Sequence, residues 1–131
     1  MRVMVDTNIL ISALLFPGQR MNTLIYKIVT EHQLVLSSYV VDELLDVVHR
    51  KFPGKERAID LLLSQLPYEL VYTPKHPIPG LFEIRDPSDY PVLYSAIVEG
   101  VDVLLTSDKD FDGLPVEKPE ILTPTKFLEK Y

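Results

Sequence analysis

The sequence predicts an α/β protein built on a mostly parallel sheet with helices on both faces. Three observations carry this. Short apolar runs such as Val3–Val5, Leu34–Leu36 and Val103–Leu105 alternate with longer stretches of helical periodicity. Gly and Pro punctuate the changes, at Phe16-Pro17-Gly18, Phe52-Pro53-Gly54 and Gly100. No internal repeat, low-complexity segment or long linker divides the chain, so the alternation reads as successive βαβ units.

The elements follow in order. Arg2–Val5 is the first strand, and Ile9–Phe16 a helix stopped at Pro17-Gly18. Asn22–Glu31 carries Leu24, Ile25, Ile28 and Val29 at helical spacing. Leu34–Leu36 is the second strand. Ser38 can cap a third helix, Tyr39–Lys51, and Lys55–Gln65 is a fourth. Leu70–Tyr72 is a short strand, and Thr73–Pro87 a long Pro-rich loop. Pro91–Glu99 is a fifth helix. It starts at Asp89 or Tyr90, because Pro91 is tolerated only in a first turn. Val103–Leu105 is a buried strand, Ile121-Leu122 a last short one, and a helix runs from about Thr125 to Tyr131.

Composition bounds the function. The chain has 131 residues, 47% hydrophobic and 24% charged, which suits one soluble globular domain over residues 1–131. It has no cysteine, so disulfides, thiolate metal sites and cysteine nucleophiles are excluded. No apolar run approaches the roughly 18 residues of a membrane span. No signal region opens the chain, and a cytoplasmic location without membrane association is expected. A net charge of −6 argues against a generally basic nucleic-acid binder. It leaves room for a nuclease in which divalent cations stand between carboxylates and phosphates.

In parallel sheets, ligands bind beyond the carboxyl ends of the strands where the strand order reverses. Four acidic features fall at such places. Asp6 follows the first strand in V-M-V-D-T-N-I-L, and Asp108, with Asp110, follows the buried strand in L-L-T-S-D-K-D-F. Asp89, with Asp86, lies in R-D-P-S-D-Y-P-V-L just before the fifth helix. Glu43 lies in S-S-Y-V-V-D-E-L-L-D-V-V, early in the third helix. Each has an ordinary alternative as a helix cap, a dipole partner or a turn residue. Thr7 or Asn8 could cap without Asp6, and Asp86-Pro87-Ser88-Asp89 has the form of a capping arrangement.

On a helical wheel the apolar stripe Val40, Val41, Leu44, Leu45, Val47 and Val48 spans roughly 160°. Glu43 lies about 40° outside it, against about 60° for Asp42 and about 100° for Asp46. Jointly, the acids converge on one sheet edge. Such a cluster repels itself unless a hard cation with oxygen ligands relieves it. Metal-assisted phosphodiester hydrolysis is the chemistry it suits.

V-D-T-N after the first strand, E-L after the second, the D-P-S-D-Y-P-V-L segment and L-L-T-S-D-K-D-F resemble the motifs of PIN-domain ribonucleases, in order and over nearly the whole chain. The resemblance implies a three-layer α/β/α sandwich with a mostly parallel sheet of about five strands. It implies a Mg²⁺ or Mn²⁺ site at Asp6, Glu43, Asp89 and Asp108, with Asp110 as a further acid. Asn8 and Thr106 match supporting polar positions. Either Asp86 or Asp89 could face the site, and the spacing to Gly100 and Thr106 favours Asp89. Small members of this kind are commonly VapC-like toxins that cut RNA, pair with a separate antitoxin protein and form homodimers.

Other features carry less. His32, His49 and His76 are scattered, and no G-x-S-x-G elbow or phosphate-binding glycine loop occurs. His49-Arg50-Lys51 and Lys55 with Arg57 form the one basic concentration. They either complement a helix C-terminus or contact an RNA backbone. Tyr39, Tyr90, Tyr94, Phe111 and Phe127 read as core or rim residues, and Phe16 as a candidate interface residue. Two other readings are a catalytically silent PIN-like binding module and a phospho-acceptor receiver domain. The receiver fold wants an acidic neighbour for Asp6 and an aspartate after the third strand, and the chain has neither.

Overall fold

The computed structural model describes residues 1–16 and 18–131. The strands are β1 (Arg2–Val5), β2 (Gln33–Ser37), β3 (Glu69–Val71), β4 (Val103–Leu105) and β5 (Glu120–Leu122). They form one sheet of order β3-β2-β1-β4-β5, and every neighbouring pair is parallel. The helices are α1 (Thr7–Leu15), α2 (Gln19–Glu31), α3 (Ser38–Lys51), α4 (Glu56–Gln65), α5 (Tyr90–Val98) and α6 (Pro124–Lys130). This is the expected α/β sandwich. The chain steps from β1 outward to β3, then returns to β4 on the other side of β1. The order therefore reverses at β1, so the carboxyl ends of β1 and β4 are where a sheet of this kind is expected to bind a ligand.

The central strands are apolar on both faces, as a sheet covered twice requires. Val3, Met4, Val5, Leu34, Val35, Leu36, Leu104 and Leu105 are fully buried. Helix α1 packs on α2 and α3, α3 on α4 and α5, and α6 on β5. The amino-terminal edge of the sheet is tied by Arg2, whose guanidinium forks onto Glu69 of β3 through Nε (3.1 Å) and Nη2 (2.6 Å). That leaves the opposite edge for chemistry.

Several boundaries differ from the sequence reading, for local reasons. Helix α1 begins at Thr7 because Asp6 itself is the cap, its Oδ1 accepting from Ile9 N at 3.0 Å. The stop proposed at Pro17 lies outside the described residues. Helix α3 is capped by Ser37 rather than Ser38, through Ser37 Oγ and Val40 N at 3.2 Å. Ser38 Oγ instead accepts from Thr73 N at 2.9 Å, where the chain leaves β3. The Pro-rich segment is pinned rather than loose. Phe82, 8% exposed, stacks on Tyr90 with ring centroids 4.4 Å apart, and the Tyr90 hydroxyl donates to Ile78 O. Pro87–Asp89 and Lys109–Phe111 form short 3-10 turns capped by Asp86 and Asp108, in keeping with the capping and turn roles open to these acids in the sequence.

Burial sets the first expectation. Leu104→Ala removes a fully buried side chain from the strand beside β1 and should cost about 3 kcal/mol. Leu70→Ala, at a residue 39% exposed on an edge strand, should cost less than about 1 kcal/mol. Urea unfolding of the two variants measures both.

Candidate active site

The site is built from two strand ends and two helix starts. The end of β1 docks on β4 through Asp6 N and Leu105 O (3.1 Å), and Thr106 N donates to Leu122 O of β5 (3.0 Å). These bonds carry the strand ladders one residue further and fix Asp6 and Thr106 side by side. The Thr106 hydroxyl donates to Asp6 Oδ2 and accepts from Asp108 N at 3.1 Å. One hydroxyl thus links the acid after β1 to the acid after β4.

Asp6 is 6% exposed. Burial pushes its carboxyl above the ordinary carboxylate range, against the donors Thr106 and Ile9 N, with Asp108 and Glu43 adding to the rise. Both neighbours therefore act on Asp6 through space. Glu43 is half-buried on α3, whereas Asp42 and Asp46 on the same helix are exposed. Asn8 is exposed in the first turn of α1.

Asp86, Asp108 and Asp110 have local partners. Asp86 Oδ1 accepts from Ser88 N (3.0 Å) and Ser88 Oγ (2.9 Å), capping the turn Pro87–Asp89. Asp108 Oδ1 accepts from Asp110 N at 2.9 Å, capping the turn Lys109–Phe111. Asp110 is held by Arg85 through Nε to Oδ1 (2.7 Å) and Nη2 to Oδ2 (3.1 Å).

Asp89 has none. It stands at the amino end of α5 but makes no capping bond, because the turn before it is already capped by Asp86. Its Oδ2 is buried and lacks a hydrogen-bond partner among the described residues, as does Thr7 Oγ1. Oxygens of Asp86, Asp89 and Asp110 lie within 4.8 Å of one another. Burial first, and then Asp108, Asp86 and Asp110, push the Asp89 carboxyl up to about 7. A carboxylate so placed needs either a proton or a cation. The tightest acidic grouping is thus Asp86, Asp89 and Asp110. Asp108 adds negative potential to this group, and Asp108 with Glu43 adds it to Asp6; Asp6, Glu43 and Asp108 are not themselves in the grouping.

Two members were missed from the sequence. Tyr39 reads there as rim. In the fold, burial, then Glu43, and beyond it Asp89 and Asp86, hold its phenol protonated up to about 12. Its position one helical turn before Glu43 was the available signal. Arg85 was visible as a cation next to D-P-S-D. The basic concentration sits elsewhere: Arg50 pairs with Asp46 (2.9 Å) in the last turns of α3. Lys51 ends that helix, about 12 Å along its axis from Glu43. Lys55 is exposed just before α4.

Comparison with known proteins bears on this arrangement. The PIN domain profile matches residues 2–110. The chain belongs to the PIN domain family. The match takes in β1 through β4 and all the acids above, while β5 and α6 lie beyond it. No curated protein sequence matches this PIN domain. Among solved structures it is similar to Rickettsia felis VapBC2, crystallised bound to a DNA fragment from its promoter. That match has a TM-score of 0.72 and 19% identity, over 94% of this chain and 98% of the other. It is also similar to DNA-bound VapBC from Salmonella typhimurium, with a TM-score of 0.69 and 16% identity, over 95% and 98% of the two chains. At these identities the likeness is one of fold.

Two outcomes are expected of the PIN domain without metal. Asp89 keeps its proton in the folded chain up to about pH 7 but loses it near pH 4 when unfolded. The folded state binds more protons across that window, so stability falls as pH rises through it. Asp89→Asn should flatten that slope and be more stable than the parent at pH 8 by about 1 kcal/mol, after solvent screening is counted. Urea midpoints against pH in EDTA measure this. Thr106→Val strips the buried Asp6 carboxylate of a donor and Asp108 N of its acceptor. It should cost about 2 kcal/mol by the same assay.

Proposed function

We propose that this PIN domain is a metal-dependent endoribonuclease and the toxin of a toxin–antitoxin pair. The observation that carries the chemistry is the partnerless buried oxygen of Asp89 among further carboxylates at the switch-point crevice. The donors fit a hard cation, being all oxygen and drawn from rigid strand ends and helix starts. In this reading Asp6, Glu43, Asp89 and Asp108 hold Mg²⁺ or Mn²⁺, with Asp110 as the further acid. Asn8, Thr106 and Asp86 support them. When bound, such a cation supplies an activated water and positive charge at the developing phosphoryl oxygens.

The chain's own residues set the conditions. Thr106 and the amide of Ile9 hold the Asp6 carboxylate in one orientation. Asp86 and Asp108 keep one oxygen each in a capping bond, and Asp89 makes none. Tyr39, protonated at every physiological pH, is a donor rather than an acid beside Glu43. Arg50, Lys51 and Lys55 are candidates for a more distant RNA backbone contact, although Arg50 is already paired with Asp46. The likeness in fold to two VapBC proteins supports an antitoxin protein as the partner. A homodimer is proposed with it, and Phe16, 60% exposed and edge-on to Phe52, is available to such an interface. No helix among the described residues is long and apolar enough to cross a membrane, which is consistent with action in the cytoplasm.

Asp6→Asn tests the assignment. Cleavage of single-stranded RNA in Mn²⁺ should fall by about 100-fold or more, with the circular dichroism spectrum unchanged. Cleavage at the parent rate would remove Asp6 from the catalytic set.

A further inference from the structure

We propose that Arg85 is a phosphate-binding residue of this site, anchored by Asp110 and presenting its free edge to the RNA backbone. The proposal rests on the nuclease reading above. The geometry begins with which edge of the guanidinium is used. Nε and Nη2 fork onto the two oxygens of Asp110 at 2.7 and 3.1 Å. Nη1 has no acceptor among the described residues, and the outer edge formed by Nη1 and Nη2 faces away from the Asp110 fork. That edge matches a phosphate as a two-toothed fork. The Asp110 pair need not break for a phosphate to be bound.

Exposure agrees with this division. The Arg85 side chain is 84% exposed, whereas that of Asp110 is 11% exposed. The anchor is held within the acid cluster while the guanidinium lies over it. Asp110 first, then Asp108 and Asp86, keep the guanidinium firmly protonated. Its backbone is positioned on both sides. Phe82 is buried against Tyr90 just before it, and Asp86 caps the following turn just after it. Lys109 shares the turn between Asp108 and Asp110, but no carboxylate among the described residues orients its ammonium.

The electrostatics call for such a group. The chain carries −6 overall, and the carboxylates of Asp6, Glu43, Asp86, Asp89, Asp108 and Asp110 gather at this edge. An approaching polyanion meets that field before it meets any cation within the cluster. A fixed guanidinium over the cluster offsets the repulsion at the point of entry. Asp110 thus anchors Arg85 while remaining part of the acidic cluster. An exposed ion pair contributes only about 0–1 kcal/mol to stability, so substitution at Arg85 leaves a folded protein to measure.

The test is fluorescence anisotropy of a labelled single-stranded RNA with the full chain in Ca²⁺, over a range of salt concentrations, beside calorimetric titration with Mn²⁺. Arg85→Ala should weaken RNA binding about 10-fold and lower the slope of log affinity against log salt by about 0.7, one single-strand phosphate contact. Mn²⁺ affinity should stay the same or rise. Arg85→Lys should recover the slope but not the full affinity, since charge returns without the fork. Arg20→Ala, on the exposed face of α2, should change neither. Parent-like RNA affinity and slope in Arg85→Ala would overturn the proposal. Joint loss of Mn²⁺ and RNA binding would also overturn it, placing Arg85 behind the metal site. A parent protein that binds Mn²⁺ but no RNA overturns the nuclease reading, and this proposal with it.

Discussion

The hydroxyl of Thr106, donating to the buried carboxylate of Asp6, joins the two strand ends on which the site stands. It lies where β1 and β4 part and the strand order reverses. A charged group at this depth costs several kcal/mol unless donors compensate it. Here the compensation comes from Thr106 and from the first-turn amide of α1. The same hydroxyl accepts from Asp108 N and so sets where the second acid-bearing loop begins. If it moves, Asp6, Asp108 and the turn behind Asp108 move together.

Capping and ligand binding first looked like competing explanations for each acid. A carboxylate has two oxygens, so the two roles are compatible. Asp6 uses one oxygen for Ile9 N, and Asp86 and Asp108 each use one for a 3-10 turn. These local bonds orient the groups and stabilise their charge. They thereby lower the cost of crowding several acids at one edge. Asp89 is the exception, because its turn is already capped. The cost of the cluster is concentrated in that one group, whose carboxyl is pushed furthest.

Much of this was legible in the sequence. Apolar runs fixed the strands, because buried parallel strands admit little else. The Gly and Pro stops then bounded the helices to within a few residues. Asp6 and Asp108 were legible because strand ends locate side chains well. Glu43 lies nearer the apolar stripe than Asp42 and Asp46, and it is the half-buried one of the three, which agrees with its place on the wheel. The choice between Asp86 and Asp89 is harder, since it depends on which carboxylate caps the turn Pro87–Asp89; the sequence offers Asp86 as that cap, but not that the segment forms a 3-10 turn of its own ahead of α5. Arg85 forks onto Asp110 from a distant segment, a contact that leaves no periodic trace. Tyr39 stands one helical turn before Glu43, but only the fold brings it under the influence of Asp89 and Asp86.

The Pro-rich loop gains its meaning from the same constraint. A long segment without regular structure invites mobility, yet this one is pinned by the Phe82–Tyr90 stack and by the Tyr90 hydroxyl on Ile78 O. Tyr90 is also the first residue of α5, directly after Asp89. The contact that holds the loop therefore also sets the position of the least satisfied acid. The stack thus links the loop to the start of α5. Arg85 lies between the two, forked onto Asp110 across the cluster. The Pro-rich loop and the acidic cluster are thus joined by direct contacts, although they come from segments on either side of β4.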